Sequence, residues 1–117
     1  MKKLAILVGI LVLMLFSLTA LVGMYDFWHT PGEPIFHKAS PWFCITEYVG
    51  ITLPPFGIYI CQEYFDDENI RAHELVHWDQ YKKYSTLGFY LRYIHGWISA
   101  GFNYTDNWME KEARGEI

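Results

Sequence analysis

The sequence predicts an α+β domain behind a single N-terminal transmembrane helix, and three observations predict it. An apolar run without a charged residue extends from Leu4 to Met24. A β-prone, aromatic stretch between Trp42 and Phe65 is divided by Pro54-Pro55. Helical stretches follow, the first of them free of Gly and Pro and containing His73-Glu74-Leu75-Val76-His77. Residues 1–24 are therefore expected to form a membrane anchor, 25–41 a linker and 42–117 the folded domain.

At about 1.5 Å per residue, the run from Leu4 to Met24 spans roughly 30 Å, the thickness of a bilayer's hydrocarbon core. A cleaved signal peptide fits less well, because Ala20 and Gly23 have Leu18 and Leu21 at their −3 positions. Lys2 and Lys3 precede the run, while the fifteen residues after it hold one lysine, Lys38. That bias predicts a cytoplasmic N-terminus and a C-terminal domain in the periplasm or outside the cell. Tyr25, Phe27 and Trp28 follow at once, as an interfacial aromatic belt would.

Three prolines and a glycine in HTPGEPIFHKASP predict an extended linker leaving the membrane, with order beginning near Trp42. WFCITEYVGI and IYICQEYF read as two strands of a hairpin, turned at Thr52-Leu53-Pro54-Pro55-Phe56-Gly57. Glu47 and the proline pair argue against a second membrane span there. Asp66-Asp67-Glu68 supplies an N-cap and first-turn acids for a helix over 68–84. Ser85 or Thr86 can cap the next element, LGFYLRYIHGWISA, which packs in the core or lies at the membrane surface. Thr105 or Asp106 can cap a last short helix, NWMEKEAR, ended by Gly115.

Net charge is −4, and without Lys2 and Lys3 it becomes −6, with the remaining basic residues dispersed along the helices. No basic stripe exists, which excludes nucleic acid as a partner. The chain beyond Met24 is small for a single core, so an aromatic content of 19% and a bound metal would both help to hold it. Cys44 and Cys61 lack metal-ligand spacing, leaving a disulfide or two buried thiols; a disulfide requires an oxidising compartment.

Positions i and i+4 of a helix share a face, so His73 and His77 can direct two imidazole nitrogens at one Zn2+ ion. Glu74 beside them can hold a water and take its proton while zinc lowers that water's pKa toward roughly 7. A catalytic zinc wants a third protein ligand and one open position. A metzincin would carry a histidine six residues after His77, but Gln80 and Lys83 occupy the relevant positions. His95 lies in an apolar segment beside Gly96 and reads as a packed or interfacial histidine. Glu110 is the stronger candidate, with Glu112 as fallback; two residues apart on a helix, only one of them can face the metal. Tyr104, then His95, then Arg71 are candidates to stabilise the oxyanion, and Asp79 or Asn107 could orient a ligand histidine.

With Glu110 and Ala113 in place, the chain resembles the gluzincins, zinc peptidases whose third ligand is a glutamate on a later helix. Among them the CAAX-prenyl endopeptidases and the phage-repressor-cleaving peptidases carry E-x-x-A-D or E-x-E-A-N, the small residue letting two helices approach. Arg114 stands where those families have Asp or Asn, the residue that bonds a ligand histidine. Closer still are small bacterial and phage proteins with H-E-x-x-H-x-x-Q and then Y-x-x-N-x-x-E-x-E-A. Gln80, Tyr104, Asn107, Glu110, Glu112 and Ala113 match these over roughly residues 58–114.

The resemblance implies a minimal zincin-like domain: a short antiparallel sheet, the HExxH helix, a packing helix and the glutamate helix. It implies a zinc metallopeptidase with His73, His77 and Glu110 as ligands, Glu74 as base and Tyr104 as oxyanion donor. IYICQEYF would be the edge strand that binds extended substrate, and the anchor would restrict substrates to polypeptides near the bilayer. Two other functions stay open: a membrane-anchored interaction protein with a structural or catalytically lapsed metal, and a zinc hydrolase of cell-wall amides.

Overall fold

The computed structural model describes all 117 residues as two compact units, Met1–Thr30 and Pro31–Ile117. The first is one helix, α1 (Lys2–Trp28), long and apolar enough to cross a membrane. It runs a turn beyond Met24, so Tyr25, Phe27 and Trp28 lie on its last turn rather than in an extended exit. His29 closes it, its ring stacked on Tyr25 at 4.1 Å.

The second unit mixes helices with a small sheet: β1 (Phe36–Lys38), α2 (Pro41–Cys44), β2 (Gly50–Leu53), β3 (Gly57–Ile60), α3 (Glu68–Ser99) and α4 (Trp108–Ala113). Strand order is β1-β3-β2, with β1 parallel and β2 antiparallel to β3. The expected hairpin is present as β2–β3, but three features differ from expectation. The sheet is mixed rather than antiparallel, because the stretch expected to be linker contributes β1. Order therefore starts before Trp42: Trp78 Nε1 also donates to Gly32 O at 2.8 Å. Residues 42–44, expected in a strand, belong to the helical turn Pro41–Cys44, because Ser40 caps it and Pro41 occupies its first position, where a missing N–H costs nothing.

Gly57 makes the parallel pairing possible. Its φ is 135°, and a Cβ there would lie 2.5 Å from Ile35 O, so only glycine lets β1 pass at this distance. One sheet face packs on α3. Ile58 and Ile60 from β3 meet Trp78, Tyr81 and Phe89 from α3 and Met109 from α4 in the core.

Asp67 caps α3, its carboxylate accepting from Asn69 N at 2.9 Å and Ile70 N at 3.1 Å. The helix breaks at Ser85 (φ 70°, ψ 175°), in a positive-φ extended region almost confined to glycine, which another residue adopts at a cost of about 1–3 kcal/mol. Ser85 Oγ then accepts from Gly88 N at 3.4 Å, starting the second segment where the sequence placed a cap. The break turns the chain so that 68–84 and 86–99 can face the same carboxylate.

Cys44 and Cys61 are joined in a disulfide, with Cα atoms 5.8 Å apart. It closes the loop that carries Tyr48 and β2. For a loop of this size, cross-linking is worth about 3 kcal/mol. Reduction is accordingly expected to lower the stability of the folded unit by about that amount, read as a drop in melting temperature between oxidised and reduced protein.

Candidate metal centre

Two elements bring the centre together. The first segment of α3 presents His73 and His77 from successive turns, with ring centroids 5.1 Å apart. α4 presents Glu110 opposite them. His73 Nε2 lies 2.9 Å from Glu110 Oε1 and His77 Nε2 lies 3.0 Å from Oε2. The three ligand atoms lie within 4.8 Å of one another, and the group could hold a metal ion.

The cluster fits a metal on the chemistry of its donors. Each His to Glu110 contact passes through Nε2, and a proton there must leave before the nitrogen can coordinate. His77 already has its other nitrogen engaged: Nδ1–H donates to Gln80 Oε1 at 2.8 Å, the tautomer that leaves Nε2 for a metal. Four-coordinate zinc, with bonds of about 2.0–2.1 Å, sets its ligand atoms about 3.3 Å apart. The two His–Glu110 contacts, 2.9 and 3.0 Å, lie near that spacing, and the three ligand atoms together lie within 4.8 Å.

Glu110 is 2% exposed, yet its carboxylate accepts from two further side chains. Tyr93 OH donates to Oε2 at 2.7 Å and Tyr104 OH to Oε1 at 2.8 Å. Burial disfavours the charge on Glu110, but hydrogen bonds from His73 and His77, the His77 charge and the Tyr93 bond outweigh it and lower its pKa well below the usual range. The same contacts act in reverse on the phenols. Burial, then the bond and charge of Glu110, hold Tyr93 far above its ordinary value; for Tyr104 burial is followed by the Glu110 charge and then the bond. Both stay protonated donors.

Glu74 faces the same space from α3. Its Oε2 lies 2.7 Å from Thr52 Oγ1 on β2, and that hydroxyl lies 3.1 Å from the Glu74 carbonyl oxygen. Burial raises the Glu74 pKa, and the neighbouring Glu110 adds to the rise; the Thr52 bond and the two histidines oppose it without cancelling it. Gly50 makes room for this carboxylate, since a Cβ there would lie 3.3 Å from Oε1. Glu74, His77 and Glu110 together line one cavity of about 260 Å3, whose other walls include β2, Phe43, Tyr90 and both phenols.

Several expected site residues lie elsewhere. Glu112 is not at the centre but accepts from Gln80 Nε2 at 3.0 Å. His95 is exposed on the second segment of α3 and Asp79 on the first. Arg71 serves the fold: it stacks on Phe36 and Phe65 and donates to Phe65 O. Asn107 caps α4 in place of Thr105 or Asp106, accepting from Met109 N at 3.0 Å, and ties that helix to Tyr93 O through Nδ2 at 3.1 Å. Gly96 allows this approach, because a Cβ there would overlap the Asn107 side chain and lie 3.0 Å from Trp108 Cδ1.

Two residues were missed. Tyr93 lies beyond the break at Ser85, so helical periodicity from His77 could not find it. Gln80 could have been found: it stands at i+3 from His77, on the same helical face. It also answers the departure at Arg114, because His77 is oriented through Gln80, Met109 O and Glu112, while Arg114 donates to Thr105 O. Gln80→Leu is expected to weaken metal affinity by about 10–100-fold, the usual cost of losing an outer partner, measured by competition with a chromogenic chelator.

No family model, curated protein or solved structure matches the chain.

Proposed function

We propose that the unit Pro31–Ile117 is a gluzincin-like zinc peptidase, held at a membrane by α1. The observation that carries this reading is the meeting of His73, His77 and Glu110 beside a cavity that His77, Glu110 and Glu74 line. A site that served only to hold a metal would need neither the cavity nor a buried carboxylate beside the ligands.

Zinc held by these three residues supplies a Lewis acid that lowers the pKa of a water toward about 7 and polarises a carbonyl. Glu74, with its pKa raised by burial, takes a proton from the attacking water and returns it to the departing amine. Tyr104 or Tyr93 would meet the charge that develops on the carbonyl oxygen by turning its single O–H from Glu110, to which each donates, toward that oxygen. In this reading Tyr104 takes the role the sequence suggests for it and shares it with Tyr93.

Substrate binding falls to β2 rather than to IYICQEYF. β3 is the central strand, paired on both sides, whereas β2 has a free edge and its four residues line the cavity. Cys61 N donates to Val49 O at 2.9 Å, and the register pairs Ile51 with Tyr59. By the alternation of an antiparallel ladder, Gly50 and Thr52 then direct their backbone N–H and C=O groups to the open side. An extended polypeptide can add there, with its side chain in an apolar cavity walled by Phe43, Ile51, Leu53 and Tyr90.

α1 supports a membrane location and the disulfide supports an oxidising compartment, consistent with a cytoplasmic N-terminus and the peptidase unit outside. The test is zinc content together with cleavage of a denatured peptide pool. One zinc per chain is expected, with chelator-sensitive cuts beside large apolar residues. Metal-free protein, or cuts that persist in the chelator, would sink the proposal.

A further inference from the structure

The second segment of α3 has an apolar face that the folded unit leaves uncovered. At about 100° per residue, Leu91, Ile94 and Ile98 fall within one narrow arc. They are 58%, 51% and 52% exposed. Trp97 extends the arc toward the core and packs edge-on against Phe102, which is itself 62% exposed. The β2–β3 turn adjoins this face, because Tyr90 OH donates to Pro54 O at 2.6 Å. That turn carries Phe56, 70% exposed. The polar and charged residues Arg92, His95 and Ser99 occupy the other exposed side of the same segment. Tyr90 also lines the cavity of the metal centre, so the apolar face begins at its rim.

We infer that this face lies in the interfacial layer of the bilayer that α1 enters, so that the cavity opens beside the lipid surface. The inference rests on the anchor reading for α1. Four features favour lipid over a protein partner. The connector between α1 and β1, residues 29–35, spans at most about 25 Å when extended, which keeps the domain within reach of the headgroups. The exposed aromatics Phe56, Trp97 and Phe102 are the residue types that settle at a membrane interface. The arc carries no charge with which to select a protein partner. The segment 86–99 covers about two heptads, short for a coiled-coil seam. A polypeptide would then reach Glu74 as it emerges from the membrane, before it diffuses into bulk water.

The test uses the full chain in phosphatidylcholine vesicles with single labelling sites. Cys44 and Cys61 are bonded to each other, which leaves introduced thiols free to take a nitroxide. Ile94→Cys and Phe56→Cys place labels on the face; His95→Cys and Asp79→Cys place them off it. Flotation with the vesicles after a carbonate wash is the first readout. Labels at 94 and 56 are then expected to collide more with oxygen and less with a water-soluble nickel complex than labels at 95 and 79. Flotation with all four labels equally open to nickel overturns the inference and leaves the anchor intact. Failure to float overturns both. A label at 94 shielded from oxygen and nickel alike, and broadened by a neighbouring label, would assign the face to a second copy and overturn the inference.

Discussion

Glu74→Gln is expected to lower peptide hydrolysis by about 10²–10⁴-fold, the range for losing a general base, while zinc content stays at that of the parent protein. The substitution keeps the shape of the side chain and a partner for Thr52 Oγ1, which lies 2.7 Å from the native carboxylate. None of the ligand atoms on His73, His77 or Glu110 is touched. An amide cannot take the proton of an attacking water, so the loss should appear in kcat with KM little changed. Unchanged hydrolysis in a zinc-loaded variant would remove Glu74 from the mechanism. A variant that loses zinc as well would show the residue to be part of the binding set.

Glu110→Gln is expected to abolish metal binding, an effect beyond the roughly 10–100-fold of an outer partner, and to reshape the pH dependence of the metal-free chain. Four side chains converge on this carboxylate, two of them imidazoles at 2.9 and 3.0 Å. In the metal-free protein, burial disfavours a charge on His77, but the bond to Glu110 and its charge outweigh it and raise the histidine above its ordinary value of 6.5. That stabilisation is complete below 6.5 and fades as pH rises through the raised value. Glu110 is shifted the other way, so its contribution is complete above its ordinary value of 4.5 and is lost as pH falls toward the lowered one. The metal-free chain should therefore be most stable between these limits, in mild acid, whereas zinc, which needs unprotonated imidazoles, should add most above them. In the variant the imidazole loses its carboxylate, and the decline toward alkaline pH should flatten. Breaking a buried pair of this kind costs about 3–5 kcal/mol. Melting temperatures across the pH range, with and without zinc, check both parts.

The parts of this architecture that were legible in the sequence are those set by local chemistry. Asp67 before a stretch free of Gly and Pro locates the start of the helix that carries His73 and His77, and these i, i+4 histidines share a face by helical geometry. Pro54-Pro55 before Gly57 marks the turn of the hairpin. Glu110 was found through its neighbours, Tyr104, Asn107 and Ala113, rather than from its own position. Less legible were features fixed by distant partners. β1 is three residues long in a proline-rich stretch and exists because β3 pairs with it. Trp42 to Cys44 are aromatic enough to read as strand, and the local evidence against it, Ser40 before Pro41, was the weaker signal. Tyr93 reaches Glu110 because the chain turns at Ser85, and no periodic pattern continues through such a break. IYICQEYF reads as an edge strand, but the third strand, which no local signal announces, makes β3 central.

Asn107 and Glu110 stand in the spacing of a capping box, where a glutamate at the third helical position ordinarily turns back to the N–H of the cap. Here Asn107 N bonds Tyr104 O at 3.2 Å instead, and the glutamate is released to the histidines. A helix of six residues, too short to persist in isolation, is thereby fastened at its first turn by the very group that would bind the ion. A metal bound by Glu110 would add to the bonds that already hold Trp108–Ala113, so slower amide hydrogen exchange in that last helix is the expected result of adding zinc.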